Sequence, residues 1–130
     1  MLTGGFGLAA LTRNTIAKPA STTHRRTTLC EVYVAGVQHH TWYQHGMQQP
    51  LEVGSILSMQ HEPSNPVDTM AIGLYAPDGT KVGFVPRWVN HVPANLLQQD
   101  ARLTCTVTKY NAHETNAPWH LIKVTITLTS

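Results

Sequence analysis

Apolar and polar residues alternate strictly along two segments near the C-terminus, and this pattern constrains the fold more than any other feature of the chain. In "HLIKVTITL" one face of the segment would carry the large apolar side chains, namely Ile122, Val124, Ile126 and Leu128. The segment "RLTCTVTKY" alternates in the same way. A period of two residues is typical of a half-buried strand and does not fit an amphipathic helix. The chain is therefore predicted to build its core from a sheet.

Four further strands are predicted upstream of these two. Two single strands, "LCEVYVAGVQ" and "LEVGSILSMQ", precede a hairpin, "AIGLYAPDGTKVGFVP", and Gly54 is a candidate bulge in the second strand. The hairpin turns at Pro77-Asp78-Gly79, because proline fixes φ and glycine tolerates positive φ. The segment "PRWVNHVPANLLQQDA" then predicts two short helical pieces, the second with Pro93 as its first residue. The expected fold is mainly β: a small OB-like, partly open six-stranded β-barrel with one or two short helices.

The alternation also predicts which side chains form the core. In each strand the inward positions are expected to carry β-branched or leucine side chains. The predicted core residues are Val32, Val34, Ile56, Ile72, Leu74, Val82, Leu103, Val107, Val124 and Ile126. Trp88, with Leu96 and Leu97, is expected to pack in the helical segment rather than to form a binding surface.

Charge divides the chain into two parts. Residues 1–28 contain four cationic and no acidic side chains, whereas residues 29–130 contain five cationic and seven acidic ones. The expected organisation is a flexible N-terminal arm or signal-like segment at 1–28 and one domain at 29–130. Because the domain has a negative balance, its affinity for nucleic acid is not expected to rest on a large basic field.

The N-terminus leaves the cellular compartment open. "MLTGGFGLAALTRN" is apolar like the hydrophobic part of an export signal, but no charged side chain precedes it, and Lys18 and Pro19 stand where small residues are wanted. A cytoplasmic location is favoured, with a periplasmic or exported location as the alternative. In an oxidising compartment Cys30 and Cys105 are expected to lie within about 7 Å at Cα and to form a disulfide. In a reducing compartment they are core thiols.

The segment "EPSNPVDTMAI" at 62–72 combines stiff and polar residues directly before a predicted strand. Pro63 and Pro66 fix φ and favour extended conformations in the residues before them. Two interpretations remain open at this point. Either Asn65 and Asp68 form turns by capping neighbouring amides, or both are aimed at a common spot as one wall of a ligand cradle.

Three segments together resemble one known family: "VAGVQHHTWYQ", "LEVGSILSMQHEPSNPVDTMAIGLY" and "KVGFVPRWVNHVPANLL". The turn E-P-x-N-P-x-D and the string V-G-F-V-P-R are similar to those of HIRAN domains, and the resemblance extends over residues 31–128. It implies an OB-like barrel. It also implies the function of the HIRAN domains of DNA-repair helicases, which bind single-stranded DNA at its 3′-hydroxyl end.

The resemblance assigns binding roles to individual residues. The family's polar turn corresponds to Asn65 and Asp68, and its basic residue after the hairpin corresponds to Arg87. By resemblance, Asp68 would accept the hydrogen bond of a 3′-hydroxyl, Asn65 would contact the sugar or terminal phosphodiester, and Arg87 would contact a phosphate. The family's Arg corresponds to Gln38, and its paired aromatics correspond to His39 and His40. Trp119 in the late loop is a candidate replacement for a missing stacking ring.

This chain departs from the family pattern at two positions of the turn. Val67 stands where an aromatic residue is common, and Met70 stands where an Asn is expected. Relative to typical members, one stacking ring and one polar contact are therefore missing. The alternative function is a non-catalytic OB-like interaction domain, exported or not, that binds no DNA.

No catalytic residue, metal site or cofactor is predicted. The histidines of "QHHTWYQH" lack the C-x-x-C and H-x-x-x-H spacings of metal sites. No Walker motif, G-x-S-x-G motif or recognisable Ser/His/Asp arrangement is present. The expected partner is the 3′ end of single-stranded DNA. A separately encoded helicase or nuclease is a candidate protein partner, and no integral membrane segment is predicted.

Overall fold

The computed structural model describes residues 25–47, 50–113 and 116–130. Most of this part is a set of six strands: β1 (Arg26–Tyr33), β2 (Ile56–His61), β3 (Ile72–Tyr75), β4 (Lys81–Phe84), β5 (Arg102–Tyr110) and β6 (Ile122–Thr129). The first strand begins three residues before the expected domain start at residue 29. Residues 1–24 of the predicted N-terminal arm lie outside the described residues.

Short helical segments connect the strands. Two are α-helical, α1 (Thr41–Gln44) and α2 (His91–Gln98), and three are single 3₁₀ turns, at Val37–His39, Arg87–Val89 and Pro118–His120. The prediction that Pro93 is the first residue of its helix is wrong, because α2 begins two residues earlier, directly after Asn90. Neither α-helix of the described residues is long and apolar enough to cross a membrane.

All strand pairs are antiparallel, and the order across the sheet is β1-β6-β5-β2-β3-β4. The sheet curls until its edges meet. Ala35, just after β1, and Phe84, at the end of β4, exchange two backbone hydrogen bonds of 2.8 and 2.9 Å. Gly83 permits this approach, since a Cβ there would lie 2.5 Å from the Ala35 carbonyl oxygen. The result confirms the predicted OB-like, partly open barrel of six strands.

Side chains that point into the barrel form its core. Of the predicted core residues, all are buried except Leu103, which is half-buried, and Ile56. Ile56 contradicts the prediction, since 51 % of its surface is exposed, whereas the next residue, Leu57, is only 1 % exposed. The alternation in β2 is therefore shifted by one residue, which exchanges the two faces of the strand. Gly54 lies in the turn before β2 and not in a bulge.

The two cysteines lie too far apart for a disulfide. Cys30 on β1 and Cys105 on β5 both pair with Ile126, which lies on β6 between them. The two Cα atoms are therefore separated by two strand spacings of about 4.8 Å each. The sum of these spacings exceeds the roughly 7 Å that a disulfide can span between Cα atoms. The predicted proximity is therefore wrong, and both side chains are free thiols. Burial raises the pKa of the Cys105 thiol to about 12, so this thiol is protonated at neutral pH.

Candidate functional site

The segment 62–71 forms a loop between β2 and β3 that is fixed by its own polar groups. The Asn65 amide donates to the Glu62 carbonyl oxygen (3.0 Å), which closes a tight turn. The side-chain Oδ1 of Asn65 accepts hydrogen bonds from the amides of Val67 (2.9 Å) and Asp68 (3.2 Å). These bonds agree with the interpretation that Asn65 forms a turn by capping neighbouring amides.

Asp68 is held on both of its carboxylate oxygens. Oδ1 accepts a hydrogen bond from the Met70 amide (2.9 Å), and Oδ2 accepts one from Asn90 Nδ2 (2.8 Å). Arg87 Nε lies 3.8 Å from the same Oδ2. The Met70 amide, followed by the Asn90 side chain, keeps the pKa of Asp68 below its usual range, so the carboxylate is ionised at neutral pH. Because 18 % of its side chain is exposed, the carboxylate remains accessible to a ligand.

A groove with a volume of about 320 Å³ opens beside this carboxylate. Its lining consists of Ala35, Asn65, Val67, Asp68, Ala71, Phe84, Val85, Arg87 and Asn90. Ala35 and Phe84 are the pair that closes the barrel, so the groove lies at the seam where the two sheet edges meet. A mainly apolar lining with a few fixed polar groups is the usual composition of a ligand site.

A second polar network links the loop to β4. Glu62 Oε2 forms a 2.8 Å ion pair with Lys81 Nζ, and Glu62 Oε1 accepts a hydrogen bond from Asn65 Nδ2 (3.0 Å). Lys81 Nζ also lies 4.1 Å from the centre of the Phe84 ring. Gly73 leaves room for the carboxylate, since a Cβ there would lie 2.8 Å from Glu62 Oε2. Lys81 thus contacts both Glu62 of the polar loop and Phe84 in the wall of the groove.

The predicted site residues fall into two groups. The groove lining brings together Asn65, Asp68 and Arg87. His40 lies next to the groove, where its ring meets the ring of Phe84 edge-on at 5.2 Å. Burial, followed by the charge of Lys81, lowers the pKa of His40, which favours the neutral ring.

The other predicted residues lie outside the groove. Gln38 and His39 belong to the 3₁₀ turn before α1, where His39 is exposed and Gln38 is half-buried. Trp119 is 54 % exposed, and its ring centre lies 6.3 Å from that of His120. His120 in turn meets Tyr33 at 4.9 Å, so these rings form a separate aromatic cluster near the end of β1.

Among the groove residues that sequence reasoning missed, two can contact a ligand through a ring or an amide side chain. Asn90 and Phe84 line the groove but were not predicted to do so. Asn90 is 1 % exposed, and its Oδ1 accepts no hydrogen bond from the described residues. No local signal marks Asn90, since its partner Asp68 lies 22 residues away in the sequence. Trp88, expected to be packed, is 78 % exposed.

The groove presents an anionic acceptor and a cationic donor side by side. Asp68 supplies an anionic acceptor, and Arg87 supplies a cation that matches the geometry of phosphate oxygens. Within residues 25–47, 50–113 and 116–130, no group of three or more His, Cys, Asp or Glu side chains is arranged to hold a metal ion. Asp68 and Arg87 provide hydrogen bonding and charge recognition in the groove.

Barrel and groove together define a small OB-like binding domain, and the family model of the HIRAN domain matches residues 28–129. The chain belongs to the HIRAN domain family. This membership confirms the resemblance carried by the segment 62–72 and by the V-G-F-V-P-R string. No curated protein matches the chain in sequence.

Solved structures share the fold. A crystal structure of a protein from Lactobacillus plantarum has a TM-score of 0.69 at 22 % identity, and the match covers 83 % of this chain and 99 % of that one. The crystal structure of the HIRAN domain of human HLTF has a TM-score of 0.62 at 17 % identity, covering 81 % of this chain and 79 % of the HLTF chain. The NMR structure of the same HLTF domain has a TM-score of 0.52 at 16 % identity, with the same coverage.

Proposed function

We propose that this chain is a non-catalytic nucleic-acid-binding module that receives the 3′-hydroxyl end of single-stranded DNA in the groove. Membership of the HIRAN family and the likeness to the HLTF domain support the nucleic-acid-binding role. Recognition of the 3′-hydroxyl end in particular is supported by one observation. An ionised and partly exposed Asp68 carboxylate lies at the groove wall, 3.8 Å from Arg87 Nε.

Asp68 would accept the hydrogen bond of the terminal 3′-hydroxyl. A carboxylate oxygen has two acceptor positions, and each oxygen of Asp68 uses one of them for a bond within the protein. One position per oxygen is left for a ligand. The bonds from Met70 and Asn90 fix the direction of the carboxylate before a ligand arrives, which reduces the entropy lost on binding. A 3′-phosphate would be repelled by the same negative charge.

Arg87 would contact a phosphate near the end of the strand. Its side chain is 72 % exposed and extends from the 3₁₀ turn that follows β4. The 3.8 Å separation from Asp68 exceeds a hydrogen bond. The guanidinium donors are therefore available to a phosphate oxygen.

Asn65 would act on the ligand mainly through the loop that it holds. Its Oδ1 accepts two backbone hydrogen bonds, and its Nδ2 donates to Glu62. One Nδ2 hydrogen is left for a sugar or phosphodiester oxygen. The proposed role of Asn65 is therefore to keep Asp68 in place and to add one direct contact.

Base contacts would come from Phe84 and the rings near it. Phe84 lines the groove, and the ring of His40 lies against it. Val67 is 75 % exposed at the position where an aromatic residue is common. Since base stacking contributes about 1–3 kcal/mol per base, we expect weaker binding than in members with an aromatic residue there. The remaining candidate contacts, for bases farther from the 3′ end, are Gln38, His39 and Trp119.

Fluorescence anisotropy with short single strands that end in a 3′-hydroxyl or a 3′-phosphate tests the proposal. The wild type is expected to prefer the hydroxyl end. Asp68→Asn is expected to bind that end about tenfold or more weakly, because a charge-assisted hydrogen bond is lost. Asn at this position retains an acceptor for the Met70 amide, so the loop should keep its conformation.

Asp78→Asn is the matched control for this experiment. It also removes one carboxylate that caps an amide, in this case the amide of Thr80 in the β3–β4 turn. It should bind both strands like the wild type. Equal wild-type affinity for the two ends, or wild-type affinity of Asp68→Asn, would contradict DNA-end recognition.

The alternative function is an interaction domain that binds protein and no DNA. The exposed side chains of Val67 (75 %), which lines the groove, and of Trp88 (78 %), which follows Arg87 in the chain, favour it, since aromatic and apolar residues are common in protein interfaces. No binding to either DNA end at low salt would support this alternative. If the chain binds DNA, the protein partner that we propose is a separately encoded helicase or nuclease.

A further inference from the structure

The outward side of β1, β6 and β5 carries a regular array of polar side chains, which we call the ladder face. Residues directly opposite each other in antiparallel strands share a face, so the register of the three strands defines the rows of this array. At one end Arg26 and Arg102 both pair with Thr129. At the other end Lys109 pairs with Lys123. The ladder face is therefore cationic at both ends.

Threonine occupies most of the middle of the ladder face. The two central rows are Thr28, Thr127 and Thr104, followed by Glu31, Thr125 and Thr106. Val124 and Ile126, which alternate with these positions on β6, are buried, so the rows point outward. A depression of about 300 Å³ lies over this part, lined by Arg26, Ile56 and four threonines. Hydroxyl groups and cationic side chains are the groups that contact phosphates in protein complexes with nucleic acids.

Charge is segregated onto the ladder face. The described residues include seven cationic and six acidic side chains, and four of these cations but only one carboxylate, that of Glu31, lie on this face. Lys81 and Arg87, in contrast, lie beside the carboxylates of Glu62 and Asp68. None of the four ladder cations forms an ion pair with another described residue. The described residues are therefore close to neutral in sum, but the ladder face carries a local positive charge.

The ladder face continues from the groove. Tyr33 pairs with Lys123 in the last row, and Ala35, two residues farther along the chain, lines the groove. Residues two apart in an extended segment share a face and are about 7 Å apart. From Lys123 to Thr129 the face extends by about another 20 Å along β6. That length accommodates several nucleotides and agrees with the roughly 4–16 nucleotides that OB folds cover.

We infer that the ladder face binds the phosphodiester backbone of the single strand whose 3′ end occupies the groove. This inference takes its ligand, single-stranded DNA, from the proposed function. The ladder face itself contains none of the groove residues that the proposed function uses. The cations neutralise phosphates, and the threonine hydroxyls donate hydrogen bonds to them. Tyr33, with Lys123 Nζ 5.4 Å from its ring centre, offers a ring to a base. Glu31, which accepts a hydrogen bond from Thr108 Oγ1 (3.1 Å), is the one group that opposes binding.

The test compares 5′-labelled single strands of about 4 and about 16 nucleotides, each with a 3′-hydroxyl or a 3′-phosphate. At about 50 mM salt, the wild type is expected to bind the long strand about tenfold or more tightly than the short one. A variant with Arg26→Gln, Arg102→Gln, Lys109→Gln and Lys123→Gln should lose this advantage. Its slope of log K against log salt should be shallower by about 2 to 3. Its affinity for the short strand should equal that of the wild type.

The groove proposal and the ladder inference fail in different ways. If the groove does not recognise ends, hydroxyl and phosphate strands bind alike, while the fourfold variant still loses affinity for long strands. The ladder inference is overturned if this variant keeps the length dependence and the salt slope of the wild type. It is also overturned if the wild type itself shows no length dependence.

A pair of single substitutions separates the local field from the net charge. Glu31→Gln and Asp78→Asn each remove one negative charge, but only Glu31 lies on the ladder face. We expect Glu31→Gln to raise long-strand affinity about two- to fivefold and Asp78→Asn to leave it unchanged. Equal increases would overturn the inference. Displacement of the strand by poly-glutamate as readily as by a polynucleotide would also overturn it, since the occupant would then be an acidic polypeptide.

Discussion

The groove and the ladder face differ in what fixes their geometry. In the groove, the position of Asp68 depends on two specific contacts, one from the nearby Met70 amide and one from Asn90 directly before α2. On the ladder face, side-chain positions follow from the backbone register of three long strands. One substitution can therefore remove the groove's function. On the ladder face several weak charge contacts add up to the affinity, so each substitution should lower that affinity by a small step.

The largest expected effect tests where the ladder face ends and the core begins. Leu57 is 1 % exposed, whereas Ile56, one residue earlier, is 51 % exposed at the edge of the ladder depression. Leu57→Ala is expected to lower the free energy of unfolding by about 2–5 kcal/mol, because it leaves a cavity in the core. Ile56→Ala should lower it by less than about 0.5 kcal/mol. Urea unfolding measures both, and equal losses would contradict the described register of β2.

A second substitution should damage the groove and spare the ladder face. In Gly83→Ala the added methyl group would meet the Ala35 carbonyl oxygen at 2.5 Å and Val34 Cγ1 at 2.7 Å. The Ala35–Phe84 pair that closes the barrel would have to separate, at a cost of about 1–3 kcal/mol. We expect the preference for a 3′-hydroxyl to disappear, while binding of long strands keeps its salt dependence.

The control for this substitution is Gly46→Asn. Gly46 has a φ of +75° and no neighbouring atom within 4 Å of an added Cβ, and asparagine tolerates positive φ. This variant should unfold and bind like the wild type. If Gly83→Ala still prefers the hydroxyl end, closure of the barrel is not what shapes the groove.

The same contrast explains how much of the fold could be predicted from the sequence. Strict alternation in β5 and β6 correctly predicted both strands, because a strand repeats its environment every second residue. In β2 the adjacent apolar residues Ile56 and Leu57 fit either register, and alternation alone chose the wrong one. The cysteine prediction failed for a related reason. Local pattern does not give strand order, and β6 lies between the strands of Cys30 and Cys105.

The groove could be predicted only where its residues belong to local motifs. Asn65 and Asp68 lie in the polar loop, and Arg87 follows directly after the V-G-F-V-P string, so all three could be named as site candidates from the sequence. Asn90 was missed because its role depends on a contact between distant segments. Phe84 became a groove residue only through the closure of the barrel.

The smallest expected effect concerns the proton affinity of Asp68. The Met70 amide and the Asn90 side chain together keep its pKa below the usual range. Asn90→Ala removes one of these donors, so the pKa should rise toward its usual value of about 3.9. The ionised carboxylate accepts the hydrogen bond of a 3′-hydroxyl more strongly than the protonated carboxyl group does, because the bond is then charge-assisted. Binding should therefore be lost at a higher pH in the variant than in the wild type as the pH falls.

The same shift has a consequence for stability, which gives an independent measurement. A carboxyl whose pKa is lowered on folding stabilises the protein above its unfolded pKa, and this contribution is lost as the pH falls through the folded pKa. In Asn90→Ala the contribution of Asp68 should be smaller. Asp78, whose pKa is lowered by the Thr80 amide, is the internal control and should titrate alike in both proteins when followed by NMR. An unchanged Asp68 titration would mean that Asn90 does not contribute to its pKa and that the Met70 amide is the main donor that lowers it. The groove would then be as backbone-determined as the ladder face, and the contrast between them would not hold.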